Sequence, residues 1–491
     1  MHDNTLDPLY YADAAGGLIT ETEWVTPEAV FAPHAKTPHA LWLDSSHDAH
    51  AASCASYIAT QPYQIISGAP EHARRLFDVA DDALRGGAGL WQDIPADIDA
   101  QLPSFRGGLA GYFGYDLKRG LHPVPENISQ NARDDLGLPG MTLGLYATVL
   151  AFDMREQRAF IMATGLPKTD PKARRRQAEI DIADWQNYLN KLAKNSRLEV
   201  FSDPPMRAAC PPLSNFSATD FKQTVAQVVK RILDGEIFQA NIAQRFHGRL
   251  EPTDSGFAYY QRLRRFSPAP FSAFAVYENW SLASASPERF LHCAQGAIES
   301  RPIKGTRPRG ATPTLDAQIA RDLLASCKDR AENTMIVDLL RNDLAKNCCD
   351  GSIEVPQLCA LETFSNVHHL VSTIRATLHP NTSPLRALRD SFPGGSITGA
   401  PKIQAMGVIA ELEPHARGPY CGALGYVGFD GQMDTNILIR SAVIKGRDVY
   451  FHAGGGIVAD SEAGAEYNET LDKASGLMAA LTGPVARAHS G

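Results

Sequence analysis

"EIFQANIAQRFHGRL", residues 236–250, follows a glycine, mixes β-branched and aromatic residues with polar ones, and reads as a strand. The same β character returns at "FSAFAVY" (271–277), "SLASAS" (281–286), "CGALGYVGF" (421–429), "ILIRSAVI" (437–444) and "DVYFHAG" (448–454). Long helical stretches separate these groups. One begins near Ser217, whose hydroxyl can cap free N–H groups with Asp220 three residues on, and carries a stripe of Phe221, Val225, Val228, Ile232 and Leu233 before Gly235 ends it. A second runs from Leu315 to Lys346, with Ile319, Leu323, Cys327, Ile336 and Leu340 opposite a charged face. Strands and helices cluster without strict βαβ alternation, so the expected class is α+β with large, mostly antiparallel sheets packed with flanking helices.

The proline-rich stretch "SDPPMRAACPPLS" (202–214) marks the expected boundary between an N-terminal domain, 1–200, and a second domain, 215–483. In the first, "GGLAGYFGYDL" (107–117) reads as a glycine-rich strand pair and the stretch from Leu117 to Gly140 as a long surface loop. A chain of 491 residues with formal charge −8 is ordinary globular protein, and its basic runs are short and isolated, which argues against a nucleic-acid partner. The acidic N-terminus lacks the apolar core of a secretory signal, and no apolar run is long enough to span a bilayer; a cytoplasmic protein is expected. Eight cysteines without a C-x-x-C pair suggest reduced thiols.

Three separated clusters concentrate functional groups. "SPERF" (286–290) and "SRPIKGT" (300–306) bring Glu288 near Lys304 if their strands form a hairpin; a carboxylic acid beside an amine offers a proton donor and a nucleophile, or simply a salt bridge. Asp329 and Glu332 share one helical face, and Glu466, Glu469 and Lys473 share another. Carboxylates from two helices can hold Mg²⁺, which takes oxygen ligands and keeps waters, although Glu469 and Lys473 are also spaced for a surface ion pair. "GGGIVA" (454–459) fits G-x-G-x-x-A after a strand, but too little chain follows for a dinucleotide domain; its N–H groups could instead bind a carboxylate at a helix start. Arg440 alternates with apolar neighbours in "ILIRSA" and needs an anion, from the protein or from a substrate.

Taken in order, "SPERF", "RPIKGT", "AENTMIVDLLRND", "HHLVSTI", "FPGGSITGAPKIQAM", "GYVGFDGQMDTNILIRSA" and "AGGGIVADSEAGAEYNETLDKA" resemble the chorismate-utilising enzymes, which include the first components of anthranilate synthase and aminodeoxychorismate synthase. The likeness spans about 215–480, continuing more weakly through "GGLAGYFGYDL". It implies chorismate as substrate and Mg²⁺ as cofactor, bound through Glu332 and Glu469 with Glu466 close by. It places Arg440, Tyr420 and the backbone of Gly454, Gly455 and Gly456 on the enolpyruvyl carboxylate, Lys473 in the binding site, and His369 beside the ring. Ser396 stands where several relatives carry threonine, keeping the hydroxyl.

Anthranilate-forming relatives typically read "PIAGT" where this chain reads "PIKGT", whereas aminodeoxychorismate synthases that work through a lysine adduct read "PIKGT" like this chain. The resemblance therefore implies Lys304 as nucleophile and Glu288 as acid. Isochorismate- and salicylate-forming relatives carry a water-activating lysine where this chain has Gln239, so water is not the expected nucleophile. No G-x-C-x-G-x-Q glutaminase motif is present, which implies ammonia from a separate glutamine amidotransferase subunit and a separate lyase to complete 4-aminobenzoate for folate synthesis.

Overall fold

The computed structural model describes residues 10–46, 55–123, 132–195, 210–363 and 367–483. Most of the proline-rich stretch and part of the expected 117–140 loop therefore lie outside the described residues. The fold is α+β. Among the described residues two antiparallel sheets, of thirteen and ten strands, are covered by helices. Both sheets take strands from either side of the proline-rich stretch: Leu41–Asp44 pairs with Phe271–Val276 in one, and Gly108–Phe113 pairs with Ala423–Gly428 in the other.

The second of these seams explains the glycines. Gly111 lies opposite Gly425, and a Cβ on Gly108 would stand 2.3 Å from the Val427 carbonyl oxygen across the same seam. "GGLAGYFGYDL" consequently forms one central strand followed by the 3-10 turn Tyr115–Leu117, and not the strand pair expected: its glycines admit neighbouring backbones where a turn was anticipated.

The strand Gln239–Arg249 lies between Asp448–Ile457 and the short pairings Leu213–Ser214 and Gly399–Ala400. The helix preceding it, Ala218–Leu233, is capped as expected, with Ser217 Oγ accepting from Asp220 N at 3.1 Å. Its buried stripe includes Phe221, Val225 and Val228, but Leu233 is exposed. The single helix expected over 315–346 is two, Pro313–Ala325 and Cys327–Ala345. Ser326 leaves the helical conformation between them and accepts from Asp329 N, capping the second helix and turning its first residues toward the cavity described below. Cys327, assigned to the apolar stripe, is exposed at this break. Among the described residues no helix is long and apolar enough to cross a membrane, and the seven described cysteines are free.

Candidate active site

A cavity of about 550 Å³ collects the three sequence clusters. Glu288 immediately precedes the strand Arg289–Ala294, which forms a hairpin with Ala297–Ser300. The hairpin ladder ends there, and the chain continues as Ile303–Pro308 along Val367–Thr377. Between Ile303 and Thr306 the register shifts, with Gly305 at φ 83°. A bulge at this point re-aims the Lys304 side chain from the sheet into the cavity. Its Nζ donates to the Ser396 carbonyl oxygen at 2.8 Å, on the short turn Gly395–Ile397.

Glu288 is 6% exposed. Burial pushes its carboxyl above the usual range, opposed in part by Lys304 and by hydrogen bonds from Ser396 and the Ile303 backbone. Burial likewise holds the Lys304 ammonium below the ordinary lysine range, against the attraction of Glu332 and Glu288. The two shifts have one physical origin, burial, which disfavours the charged form of each group: it favours the protonated acid at Glu288 and the neutral amine at Lys304. No ion pair within 4 Å joins them among the described residues.

Glu332 reaches the cavity from Cys327–Ala345, and Glu466 and Glu469 from the helix Ala463–Thr482. Burial raises Glu332 and Glu466, and the nearby carboxylates Asp329 and Glu466 in the first case, and Glu469 in the second, add to it. At Glu469 burial also pushes upward, but Lys473, 2.5 Å away, overcomes it and lowers the carboxyl. The surface-type pair anticipated from the spacing is thus formed, and the same Lys473 donates to the Gly454 carbonyl oxygen at 3.1 Å. Among the described residues no three His, Cys, Asp or Glu side chains are drawn together into a metal cage. The donors are nonetheless all oxygen, and a cation that keeps waters and takes a substrate carboxylate needs only one or two of them. Gly455 leaves room for the acidic group: a Cβ there would lie 3.2 Å from Glu466 Oε2 and 3.3 Å from Glu469 Oε1.

Gly454–Gly456 belong to the strand Asp448–Ile457, not to a helix start. Asn241 N and Ala243 N donate away from this strand, to Thr398 O and Glu413 Oε1. Their partners across the ladder, Gly456 and Gly454, are therefore the non-bonded pairs of an antiparallel ladder, and their N–H groups point away from Gln239–Arg249. The strand Ser441–Lys445 pairs only as far as Phe451, which leaves these two N–H groups at the cavity wall. Gly455 instead faces the carboxylates.

Arg440 is not on a strand as expected. Met433–Ile437 ends before it, Ser441–Lys445 begins after it, and Arg440 itself sits at φ 51°. That left-handed conformation, costly for any residue with a Cβ, accompanies a guanidinium that lines the cavity. Burial works against its charge, with Tyr420 and Glu469 nearby, and no ion pair within 4 Å is formed among the described residues. Tyr420 stacks on His452 with ring centroids 4.9 Å apart. His369 lines the cavity, and its Nδ1 lies 2.7 Å from Thr306 Oγ1. Gln239 is buried behind Gly456, where a Cβ would meet its Nε2 at 2.4 Å.

Sequence reasoning missed Asn241, His452 and Lys328, all of which line the cavity. Asn241 shares a strand face with Gln239, two residues away, a signal present in "FQAN". Burial drives His452 well below the ordinary histidine range, with Arg245 and Arg417 adding to the effect. Only tertiary packing onto Tyr420 reveals it.

A cavity with a guanidinium free of ion pairs among the described residues, outward-facing strand N–H groups and an amine beside a buried carboxyl has the make-up of an active site. The model of the chorismate binding enzyme family matches residues 38–479, and the chain belongs to that family. It is 37% identical over 458 residues to aminodeoxychorismate synthase component 1 of Salmonella typhimurium, covering 92% of this chain and 95% of that one. The Escherichia coli K12 protein of the same name is 40% identical over 399 residues, covering 79% and 80%. Anthranilate synthase component I from Streptococcus pneumoniae superposes with a TM-score of 0.69 at 28% identity, covering 87% of this chain and 92% of that one.

Proposed function

We propose that this chain converts chorismate and ammonia to 4-amino-4-deoxychorismate through an adduct on Lys304. The observation that carries this reading is the pairing of Lys304, depressed below the lysine range, with Glu288, raised above the carboxylate range, in one cavity. The neutral amine attacks C2 of chorismate, both conjugated ring double bonds shift (C1=C2 to C1=C6, and C5=C6 to C4=C5), and the C4 hydroxyl leaves as water with the Glu288 proton. The carboxylate so formed takes up the proton shed by the amine. Ammonia then attacks C4, both double bonds shift back, and the bond from C2 to the Lys304 nitrogen breaks, the amine leaving with a proton from the incoming nitrogen.

Arg440, Tyr420 and the N–H groups of Gly454 and Gly456 would hold the enolpyruvyl carboxylate; Ser396 orients both Lys304 and Glu288, and His369 borders the ring. Glu332 and Glu469, with Glu466 close by, would hold Mg²⁺, which neutralises the ring carboxylate when bound. Lys473 keeps Glu469 ionised. The names of the Salmonella and Escherichia relatives, each a component 1, support ammonia delivery by a separate glutaminase subunit. Gln239 supports amination over hydration, because an amide cannot deprotonate water.

Chromatographic identification of the product from chorismate, Mg²⁺ and ammonium, with and without added lyase, tests the reading. Aminodeoxychorismate is the expected product. Anthranilate would transfer the chain to the anthranilate synthases, the second reading favoured by the Streptococcus structure but opposed by Lys304.

A further inference from the structure

Behind the cavity, and outside its lining, lies a buried ion pair that the reaction itself does not use. Arg417 and Glu413 are each 3% exposed. The Arg417 guanidinium donates to Glu413 at 2.6 and 2.9 Å, to the Asn241 carbonyl oxygen at 2.7 Å and to the Ile397 carbonyl oxygen at 3.2 Å. It lies 4.7 Å from the Tyr115 ring and 5.6 Å from the Tyr420 ring. Glu413 in turn accepts from Ala243 N at 2.9 Å. One planar fork therefore grips the Gln239–Arg249 strand, the Gly395–Ile397 turn and the ring of Tyr420. The peptide carbonyl it holds, that of Ile397, is next in the chain to the Ser396 carbonyl that receives Lys304 Nζ.

We infer that Arg417, held by Glu413, is the positioning residue for the Lys304 nucleophile: it fixes the Ser396–Ile397 turn, and the turn fixes the direction of the amine. This rests on the covalent reading proposed above. A neutral amine has one lone pair, and the N–H it gives to Ser396 decides where that lone pair points. Slack in the turn therefore misdirects the attack without removing any group that binds chorismate. Only a fork with several donors in one plane can hold two carbonyls and a carboxylate at once, which lysine cannot do.

The test compares Arg417→Lys and Glu413→Gln with wild type and with Arg262→Lys, which disturbs the buried Arg262–Asp254 pair elsewhere. Adduct formation is followed by intact-mass spectrometry with chorismate and Mg²⁺ but no ammonia, and chorismate KM and kcat are measured with ammonium. Both site variants should form adduct at least about tenfold more slowly, because misplacement by an ångström at a reacting centre costs rate in this range. Their kcat should fall in parallel while KM stays within about twofold, and Arg262→Lys should lose thermal stability with neither rate changed. If Arg417→Lys fails to fold, Glu413→Gln, which keeps the shape of the side chain, gives the same reading. Equal adduct rates in variant and wild type, or a loss confined to KM, would overturn the inference. A wild type that turns over without adduct would instead overturn the covalent reading, and the split of kcat from KM would still report on Arg417.

Discussion

Two of the cavities in this molecule treat charge differently. The smaller, about 310 Å³, is lined by Asp44, Arg289, Arg301 and Asp434. Here charges are matched: Arg289 with Asp434 at 2.8 Å, Asp44 with Arg264 at 2.9 Å, and Arg301 with Glu362. In the larger cavity Lys304, Glu288, Glu332 and Arg440 have no ion pair within 4 Å among the described residues. A matched pair has spent its attraction on the fold. An unmatched one keeps it for a ligand, and burial shifts its pKa toward the neutral form.

The sharpest way to break this contrast is Lys304→Ala. Loss of a nucleophile held in place should lower turnover on the order of 10⁵-fold and abolish the adduct on peptide 300–310, read by peptide mapping. Chorismate binding should persist, since Arg440 and the strand N–H groups remain. Turnover that survives would mean direct attack by ammonia.

Next in size is Glu288→Gln, expected to slow adduct formation about 10³-fold. Its pH profile carries the sign. The amine must lose its proton, so the wild-type rate climbs with pH; Glu288 must keep its proton, so the rate falls again at higher pH. The variant should retain the climb and lose the fall. A persistent falling limb would place the acid on another residue.

Glu332→Gln and Glu469→Gln should each cost about 10–100-fold, recovered in part by raising Mg²⁺, as steady-state rates across a magnesium titration will read. Unchanged magnesium dependence in both would remove these carboxylates from the metal site. Smallest in its effect on chemistry, and the control for the whole comparison, is Asp434→Asn in the second cavity. It should destabilise by about 1.5–3 kcal/mol in chemical denaturation, leaving kcat per folded molecule unchanged.

The α+β class and the capped helix after Ser217 were legible because both depend on local periodicity and hydrogen bonding. The grouping of Lys304, Glu288 and the three glutamates was legible because their motifs keep them in fixed order. What escaped was produced by breaks in regularity. Ser326 divides a stripe that continues across it, and Arg440 leaves a run that alternates like a strand. Asn241 and His452 acquire meaning only when Gln239–Arg249 pairs with Asp448–Ile457, a register set by residues more than two hundred positions apart.

The two mixed sheets bear on any attempt to isolate the stretch from residue 215 onward. Expressed from residue 215 onward, it would lose the partners of Phe271–Val276 and Ala423–Gly428 together. Each would become a bare edge with unpaired N–H and carbonyl groups, and the second holds alanine, leucine, tyrosine and valine spaced by glycine. Such edges template pairing with other chains. The N-terminal strands thus act as a built-in guard against self-association.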